Sequence, residues 1–248
     1  MAERIDGTLP PLQQVRQLMD ILRGPNGCDW DQAQGFDDIA PYTIEEAYEV
    51  KDAIDRRDMD DLRSELGDLL FQVVFHARIA SDEGAFGLDD VCNTLVAKMV
   101  ERHPHVFADG DKPDWEETKA AERAGRTLDG VALALPALMR AQKLQKRAAK
   151  VGFDWPDAAP VADKVREELS ELEDASAGQE AHEELGDLLF SVVNLARHRG
   201  VDAEAALRDA NAKFQRRFER VEDTLPDLAS ADLDTMEAAW SAAKREGL

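Results

Sequence analysis

Aromatic residues, cysteines and positive charges are all scarce in this chain of 248 residues. Aromatic side chains make up 6% of the sequence, and there are two cysteines, Cys28 and Cys92. Their separation matches neither a metal-binding motif nor a disulfide framework. The sequence therefore argues against a disulfide-stapled secreted fold, and we expect buried or incidental thiols of a reducing compartment.

The shortage of positive charge limits the partners of the chain. Lysine and arginine together number 30 against 52 acidic residues, which gives a net charge of -22. Such a chain repels a nucleic-acid backbone and an anionic membrane, so we expect neither as a partner. A nucleotide that arrives with its metal ion is not excluded. Because no apolar run reaches about 18 residues and no charged-then-apolar leader opens the chain, we expect a cytoplasmic protein.

Alternation of apolar and polar residues, the signature of half-buried strands, is also absent. Hydrophobic residues make up 44% of the sequence, and they recur at helical spacing between glycine breakers. A chain of this length can form one large core or two modest ones. The sequence therefore predicts an all-α protein.

An internal duplication is the main feature of the sequence. Residues 65–74 recur as residues 184–193, with nine of the ten positions identical. Other matches keep the same order along both halves at offsets of 115 to 125 residues: Gly27 with Gly152, Glu46 with Glu168, Lys98 with Lys213, and Trp115 with Trp240. Since the insertions fall between the motifs, we predict two tandem helical domains, residues 1–128 and 129–248.

Paired carboxylates are the candidate functional groups of each half. In the second half, an EExxE group at 167–171 and an ExxD group at 184–187 each place two carboxylates three residues apart on one helix face. Two such faces, opposed, form a pocket of four carboxylates that needs a hard divalent cation, and Mg²⁺ is the obvious choice. The expected ligands are Glu168, Glu171, Glu184 and Asp187, with Glu46, Glu49, Glu65 and Asp68 as their counterparts in the first half.

Basic and aromatic residues are the candidates for binding a polyanionic ligand. Lys213 and Arg217 lie four residues apart, as do their first-half counterparts, and Lys164 lies one turn before Glu168. For Trp155 we predict a core position, whereas Trp240 can equally be a core residue or a platform for a base. Two histidines, His103 and His105, have no counterparts in the second half, so we do not assign them to the repeated chemistry.

The EExxE and ExxD pairs, the shared Glu-Leu-Gly-Asp-Leu-Leu-Phe segment and the two-half order resemble the MazG family of nucleoside triphosphate pyrophosphohydrolases in its tandem-domain form. The resemblance covers nearly all of residues 10–248. It implies a homodimer with a four-helix-bundle-like fold, and Mg²⁺-dependent cleavage of NTPs or dNTPs to the monophosphate and pyrophosphate, with Mn²⁺ as a substitute metal. Carried over by position, it assigns the four second-half carboxylates to catalysis, all eight carboxylates to metal binding, and the nucleotide to Lys164, Lys213, Arg217 and Trp240.

Two other classes of protein compete with this interpretation. A di-iron carboxylate bundle uses Glu-x-x-His pairs, but none of the five histidines has a glutamate three residues before it. A non-enzymatic acidic helical adaptor would use its carboxylates for solubility alone. The adaptor predicts no metal-dependent change in melting temperature, whereas a metal site raises it with Mg²⁺ and nucleotide.

Overall fold

A computed structural model describes residues 4–108 and 125–248, and within these ranges every regular element is a helix. The all-α class predicted from the sequence is therefore confirmed. The first-half tryptophan Trp115 and its neighbour Lys119 lie outside the described residues. None of the described helices is both long and apolar enough to cross a membrane.

The chain divides into two compact units, Met1–Ala120 and Ala121–Leu248. The first contains helices α1 (Pro11–Leu22), α2 (Asp29–Ala33), α3 (Phe36–Arg56), α4 (Met59–Asp82), α5 (Leu88–Arg102) and α6 (Pro104–Phe107). The second contains α7 (Ala137–Lys150), α8 (Ala158–Asp174), α9 (Gln179–His198), α10 (Ala203–Thr224), a short 3-10 helix (Leu228–Ser230) and α11 (Leu233–Arg245). In both units the helix that carries the EExxE group directly precedes the helix that carries the ExxD group, while the exact boundary after residue 128 stays a prediction.

Two long helices that pack along each other form the centre of each unit. In the first unit, α3 packs along α4, and α1 covers α4 from another side. Apolar residues from all three helices meet there, and Met19, Ile39 and Phe75 are almost completely buried. In the second unit, α8 packs along α9, and α7 takes the place of α1. Because the EExxE helix and the ExxD helix are packed partners in both units, their carboxylates are brought together.

The start of α3 differs from the sequence prediction. We expected Pro41 and Thr43 at the beginning of the helix that carries the EExxE group, but the helix begins at Phe36 and contains Pro41. Gly35 caps it, and its backbone N–H donates to Asp38 Oδ2 at 2.9 Å. An acidic side chain in the first turn is favourable there, and Pro41, farther along, removes one hydrogen bond of the helix.

The second EExxE helix starts much as expected. Pro160 lies in the first turn of α8, where its missing N–H costs no helical hydrogen bond. The cap itself is Asp157, whose side chain accepts from the backbone N–H of Ala159 at 2.8 Å. Glycines end both ExxD helices, since Gly84 and Gly200 each adopt a φ of 70°, which favours glycine.

Candidate metal and nucleotide site

Three glutamates meet in each unit. Glu168 and Glu171 on α8 meet Glu184 on α9, and one carboxylate oxygen from each lies within 4.8 Å of the others. The first unit repeats the arrangement with Glu46 and Glu49 on α3 and Glu65 on α4. These groups have the oxygen-only chemistry that a hard divalent cation requires. We name them the second-unit cluster and the first-unit cluster.

The fourth carboxylate of each predicted set is exposed. Asp68 and Asp187 each lie one turn beyond the glutamate of their ExxD pair, and neither belongs to the clusters of three. Asp68 nevertheless lies close enough for its negative charge to raise the pKa values of Glu46 and Glu65. An exposed carboxylate at the rim of such a cluster is free to turn toward a bound cation.

The crowded carboxylates of both clusters would be stabilised by an added positive charge. Desolvation raises the pKa of Glu171, and the negative charges of Glu168 and Glu184 add to this effect while Lys164 opposes it. In the first unit, desolvation together with the neighbouring carboxylates raises the pKa values of Glu46 and Glu65. Carboxyls that resist ionisation beside one another are the expected state of a metal-free cation site.

Lys164 is the cation that the structure places at the second-unit cluster. Its Nζ lies 2.7 Å from Glu168 Oε1 and 2.7 Å from Glu167 Oε1. Glu168 is only 5% exposed, so its charge is buried and paired, as a buried charge must be. The carboxylates raise the pKa of Lys164, chiefly through these hydrogen bonds, so the ammonium stays charged at neutral pH.

A second group of predicted residues lies on α10 and α11. The guanidinium of Arg217 lies 5.8 Å from the ring centroid of Trp240, and its Nε donates to the Leu248 carbonyl at 2.6 Å. Trp240 also contacts Phe214, at 5.2 Å between ring centroids. Lys213, one turn before Arg217, is exposed. In the described ranges, no hydrogen bond, ion pair or ring contact joins this group to the second-unit cluster.

Trp155 is not the core residue that we predicted. It is 43% exposed and, with Phe153, lines a cavity of the second unit. Sequence reasoning treated a large aromatic after a glycine turn as core because burial is its commonest role. It also missed two buried amides of the same cavity, Gln145 and Asn194, because isolated amides carry no motif.

The two cysteines and the histidine pair singled out in the sequence lie outside both clusters. Cys28 is partly buried and Cys92 is exposed, and both are free thiols. The rings of His103 and His105 lie 5.7 Å apart, and His103 Nδ1 lies 2.7 Å from the Met99 carbonyl oxygen. Neither histidine belongs to a cluster of possible metal ligands in the described part of the chain.

Fold and site together define a class: an all-α protein in which a packed helix pair, present twice, presents clustered glutamates. Residues 34–107 and 160–222 match the family model of the MazG nucleotide pyrophosphohydrolase domain. The chain therefore belongs to the MazG family and carries its domain twice. The resemblance seen in the sequence is confirmed.

Relatives from several bacteria are similar to more than half of the chain, and two of them to nearly all of it. The nucleoside triphosphate pyrophosphohydrolase of Escherichia coli (strain K12) is 50% identical over 95% of this chain and 97% of its own length. The nucleoside triphosphate pyrophosphohydrolase/pyrophosphatase MazG of Thermotoga maritima is 43% identical, over 94% of this chain and 95% of its own. The nucleoside triphosphate pyrophosphohydrolase of Mycobacterium tuberculosis is 43% identical over 55% of this chain and 44% of its own length. The similarity of the first two relatives thus spans both units.

Proposed function

We propose that this protein hydrolyses nucleoside triphosphates, NTPs or dNTPs, to the nucleoside monophosphate and pyrophosphate, with Mg²⁺ as the metal and Mn²⁺ as a substitute. The observation that carries the proposal is the second-unit cluster, with three glutamates within 4.8 Å and a lysine at its edge. The names of the relatives support the same reaction class. Cleansing of the nucleotide pool, or its control under stress, is the cellular role that this reaction suits.

The residues of the cluster suit Mg²⁺. Glu168, Glu171 and Glu184 would hold it together with Asp187, and the first unit would use Glu46, Glu49, Glu65 and Asp68. Bound Mg²⁺ supplies neutralisation of the triphosphate charge and activation of a water molecule. Lys164 already lies at the cluster, where its ammonium can contact a phosphate oxygen as well as Glu168. Exposed Lys213 and partly buried Arg217 are the further cations that we assign to the nucleotide.

Trp240 supports the assignment of Arg217 to the nucleotide because it contacts the guanidinium of Arg217. Its ring lies below the guanidinium at 5.8 Å, so it restricts the motion of the arginine side chain while leaving part of its own surface exposed. A guanidinium that is held by an indole loses less freedom when it binds a phosphate. We therefore include Trp240 in the nucleotide-binding group.

We also propose that the protein is a homodimer. On α9, Leu185, Leu189 and Val192 follow the i, i+4, i+7 spacing of one helix face, and each is more than 40% exposed. Gly186 adjoins this face, and a Cβ atom added there would meet nothing within 4 Å. An apolar helix face of this kind is typical of a helix that packs against a partner. A second copy would bury it in a four-helix arrangement.

Product analysis tests the reaction. With a panel of NTPs and dNTPs and Mg²⁺, we expect equal amounts of nucleoside monophosphate and pyrophosphate, because the chain has no glycine-rich loop of the kind that supports release of the terminal phosphate. Chromatography of the nucleotide together with separate assays of pyrophosphate and orthophosphate measures this. Orthophosphate as the primary product would refute the proposal.

Thermal stability tests the metal. The pKa values of Glu46, Glu65 and Glu171 are raised in the folded state. A carboxyl with a raised pKa makes its full contribution to folding stability below the ordinary pKa of glutamate. This contribution is lost as the pH rises through the raised value. At neutral pH the ionised clusters therefore destabilise the metal-free protein. We expect Mg²⁺ to raise the melting temperature more near pH 7 than near pH 5.

The control for this titration is Glu171→Gln. Removal of one negative charge should raise the melting temperature of the metal-free protein at neutral pH and reduce the increase caused by Mg²⁺. An adaptor whose carboxylates serve only solubility would show the same melting temperature with and without Mg²⁺ at both pH values, and that result would exclude the metal site.

A further inference from the structure

The two carboxylate clusters differ in the positive charge that lies beside them. In the second unit, Lys164 Nζ lies 2.7 Å from Glu168 Oε1, so an ammonium already occupies one side of the cluster. In the first unit, Tyr42 stands at the position of that lysine. Among the described residues, no ion pair joins the first-unit carboxylates to a lysine, arginine or histidine. The first-unit cluster therefore carries the larger uncompensated negative charge.

A buried amide lies beside the first-unit cluster instead of an ammonium. Gln72 is 7% exposed, and its Nε2 lies 3.5 Å from Glu46 Oε1, which is long for a hydrogen bond. Its Oε1 is buried and has no hydrogen-bond partner in the part of the chain that the structure describes. A buried oxygen without a partner lowers stability, so the protein alone satisfies this amide poorly.

Gln72 belongs to the carboxylate face of α4. Glu65, Asp68 and Gln72 follow the i, i+3, i+7 spacing of one helix face, and Glu46 meets that face from α3. Rotation of the amide about its last side-chain bond exchanges the positions of Oε1 and Nε2. The amide oxygen then lies beside Glu46, among the carboxylates. Carboxylate and amide oxygens are both ligands of hard divalent cations.

The second unit has no such amide. The repeated segment aligns Gln72 with Ser191, whose side chain is shorter. The second unit thus combines its four carboxylates with the ammonium of Lys164, which repels a metal ion. The first unit combines its four with an amide oxygen, which attracts one. The same acidic motif therefore has opposite surroundings in the two units.

We propose that Gln72 is a further ligand residue of the first-unit cluster, and that this cluster binds a divalent cation without a nucleotide and more tightly than the second-unit cluster does. The proposal rests on the metal chemistry proposed above. A cation at the second-unit cluster is repelled by Lys164 until a polyanion binds the ammonium, whereas the first-unit cluster has no such competitor. One unit charge close to a divalent ion changes its affinity about tenfold or more.

Binding of Mn²⁺ in the absence of nucleotide tests the difference between the units. Electron paramagnetic resonance of free Mn²⁺, titrated into the full chain at neutral pH, should show a tight and a weak class of sites, with affinities about tenfold or more apart. Mg²⁺ should displace Mn²⁺ from both. Glu49→Gln should weaken the tight class, and Glu171→Gln the weak class. Lys164→Met should strengthen the weak class, because it removes the competing ammonium.

Two variants of Gln72 test its role as a ligand. Gln72→Met removes the amide at similar size and should weaken the tight class about tenfold to hundredfold, the usual effect of losing a residue that supports a metal site. Gln72→Glu keeps an oxygen but removes the N–H that faces Glu46, so it should bind Mn²⁺ at least as tightly as the parent protein. A loss in both variants would show that Gln72 only supports Glu46, and would overturn its role as a ligand.

The matched control is Thr43→Val, which removes another buried polar contact between α3 and α4. The hydroxyl of Thr43, one turn before Glu46, lies 2.9 Å from His76 Nε2, and Val165 is its counterpart in the second unit. This variant should leave Mn²⁺ binding unchanged, and a loss equal to that of Gln72→Met would overturn the role of Gln72. Melting temperatures show whether the variants are folded, and Gln72→Ser replaces Gln72→Met if that protein is not.

The outcomes separate this proposal from the proposed reaction. Two classes of equal affinity, a tight class that is lost in Glu171→Gln rather than in Glu49→Gln, or no Mn²⁺ binding without nucleotide would overturn the proposal. Metal-dependent hydrolysis to the monophosphate and pyrophosphate can still occur in each of these cases. A protein that binds Mn²⁺ tightly at the first unit but hydrolyses no triphosphate would refute the proposed reaction and leave this proposal intact.

Discussion

Glu168→Gln is expected to lower turnover of the preferred triphosphate about a hundredfold or more while the protein stays folded. Glu168 is the most buried member of the second-unit cluster, and its oxygens lie within 4.8 Å of those of Glu171 and Glu184. A neutral amide is a weak ligand for Mg²⁺ and no longer neutralises its charge, so both metal affinity and the field at the phosphates change. Steady-state kinetics over a range of Mg²⁺ concentrations measures the loss.

Stability should change little in this variant. The substitution preserves the size of the side chain and removes charge from a repulsive group, whereas the loss of the ion pair with Lys164 is offset because Lys164 Nζ also contacts Glu167 at 2.7 Å. The matched control is Glu167→Gln, because Glu167 shares the same lysine but is not part of the cluster. It should retain near-normal turnover.

Asp187→Asn extends the same test to the rim of the cluster. Asp187 lies one turn after Glu184 and is exposed, so its replacement should leave the melting temperature within a few degrees of that of the parent protein. We expect turnover to fall as in Glu168→Gln if the aspartate turns toward the cation. Near-normal turnover in either variant would show that the metal site is assigned to the wrong residues.

The carboxylate clusters could be predicted from the sequence because the members of each cluster belong to two short motifs, EExxE and ExxD. Residues three apart share a helix face, and a duplicated motif shows that the spacing is no accident of an acidic chain. The packing of α8 along α9 then brings Glu168 and Glu184 together, as expected. What the motifs cannot specify is the direction of each side chain, which is why Asp68 and Asp187 lie outside the groups of three.

Other features depend on competing local signals or on contacts that are distant in sequence. The start of α3 depends on a hydrogen bond between Gly35 and Asp38, a cap that competes with the proline signal at Pro41. The exposure of Trp155 and the burial of Gln145 depend on how α7 and the glycine turn meet α9, and no local pattern encodes that geometry. Propensity arguments therefore identified the helices, while tertiary packing determined the cavity.

The two units differ in the positive charge that lies beside their carboxylate clusters, so we expect them to differ in catalytic activity. In the second unit Lys164 Nζ lies 2.7 Å from Glu168, whereas alignment on the EExxE group places Tyr42 at the corresponding position of the first unit. Tyr42 contacts the edge of Trp30, at 6.4 Å between ring centroids, and contributes no positive charge. The nearest polar support of the first cluster is Gln72, whose Nε2 lies 3.5 Å from Glu46 Oε1.

Not every cation of α7 adds to this difference. Four basic residues of α7 have no counterparts in the first half, and their positions predict a more positive approach to the second site: Lys143, Lys146, Arg147 and Lys150. Arg147 instead donates to backbone carbonyls of the preceding segment, among them that of Leu128 at 3.3 Å. It anchors that segment to α7. Among the described residues, Lys164 is the cation for which an ion pair with a carboxylate of the second-unit cluster is observed.

Glu171→Gln is therefore expected to lower turnover far more than Glu49→Gln. The two residues occupy equivalent positions in the two clusters, so the pair of variants changes the same charge in the same local geometry. A tetraanionic triphosphate in the second unit gains a charge-assisted contact with Lys164, and such contacts contribute about 1.5 to 3 kcal/mol. The absence of this contact costs the first unit about tenfold or more in binding.

Side-by-side kinetics of the two variants at equal Mg²⁺ measures the difference. Glu171→Gln shows how much activity the first unit supplies, and the double variant gives the background. Lys164→Met tests whether the cation causes the difference in activity between the two units, because it removes Lys164 while leaving both clusters of glutamates in place. If Lys164 is the reason for the asymmetry, this variant should bring the second unit down to the level of the first. Equal losses in Glu49→Gln and Glu171→Gln, or a larger loss in Glu49→Gln, would show instead that the first unit carries at least half of the catalysis.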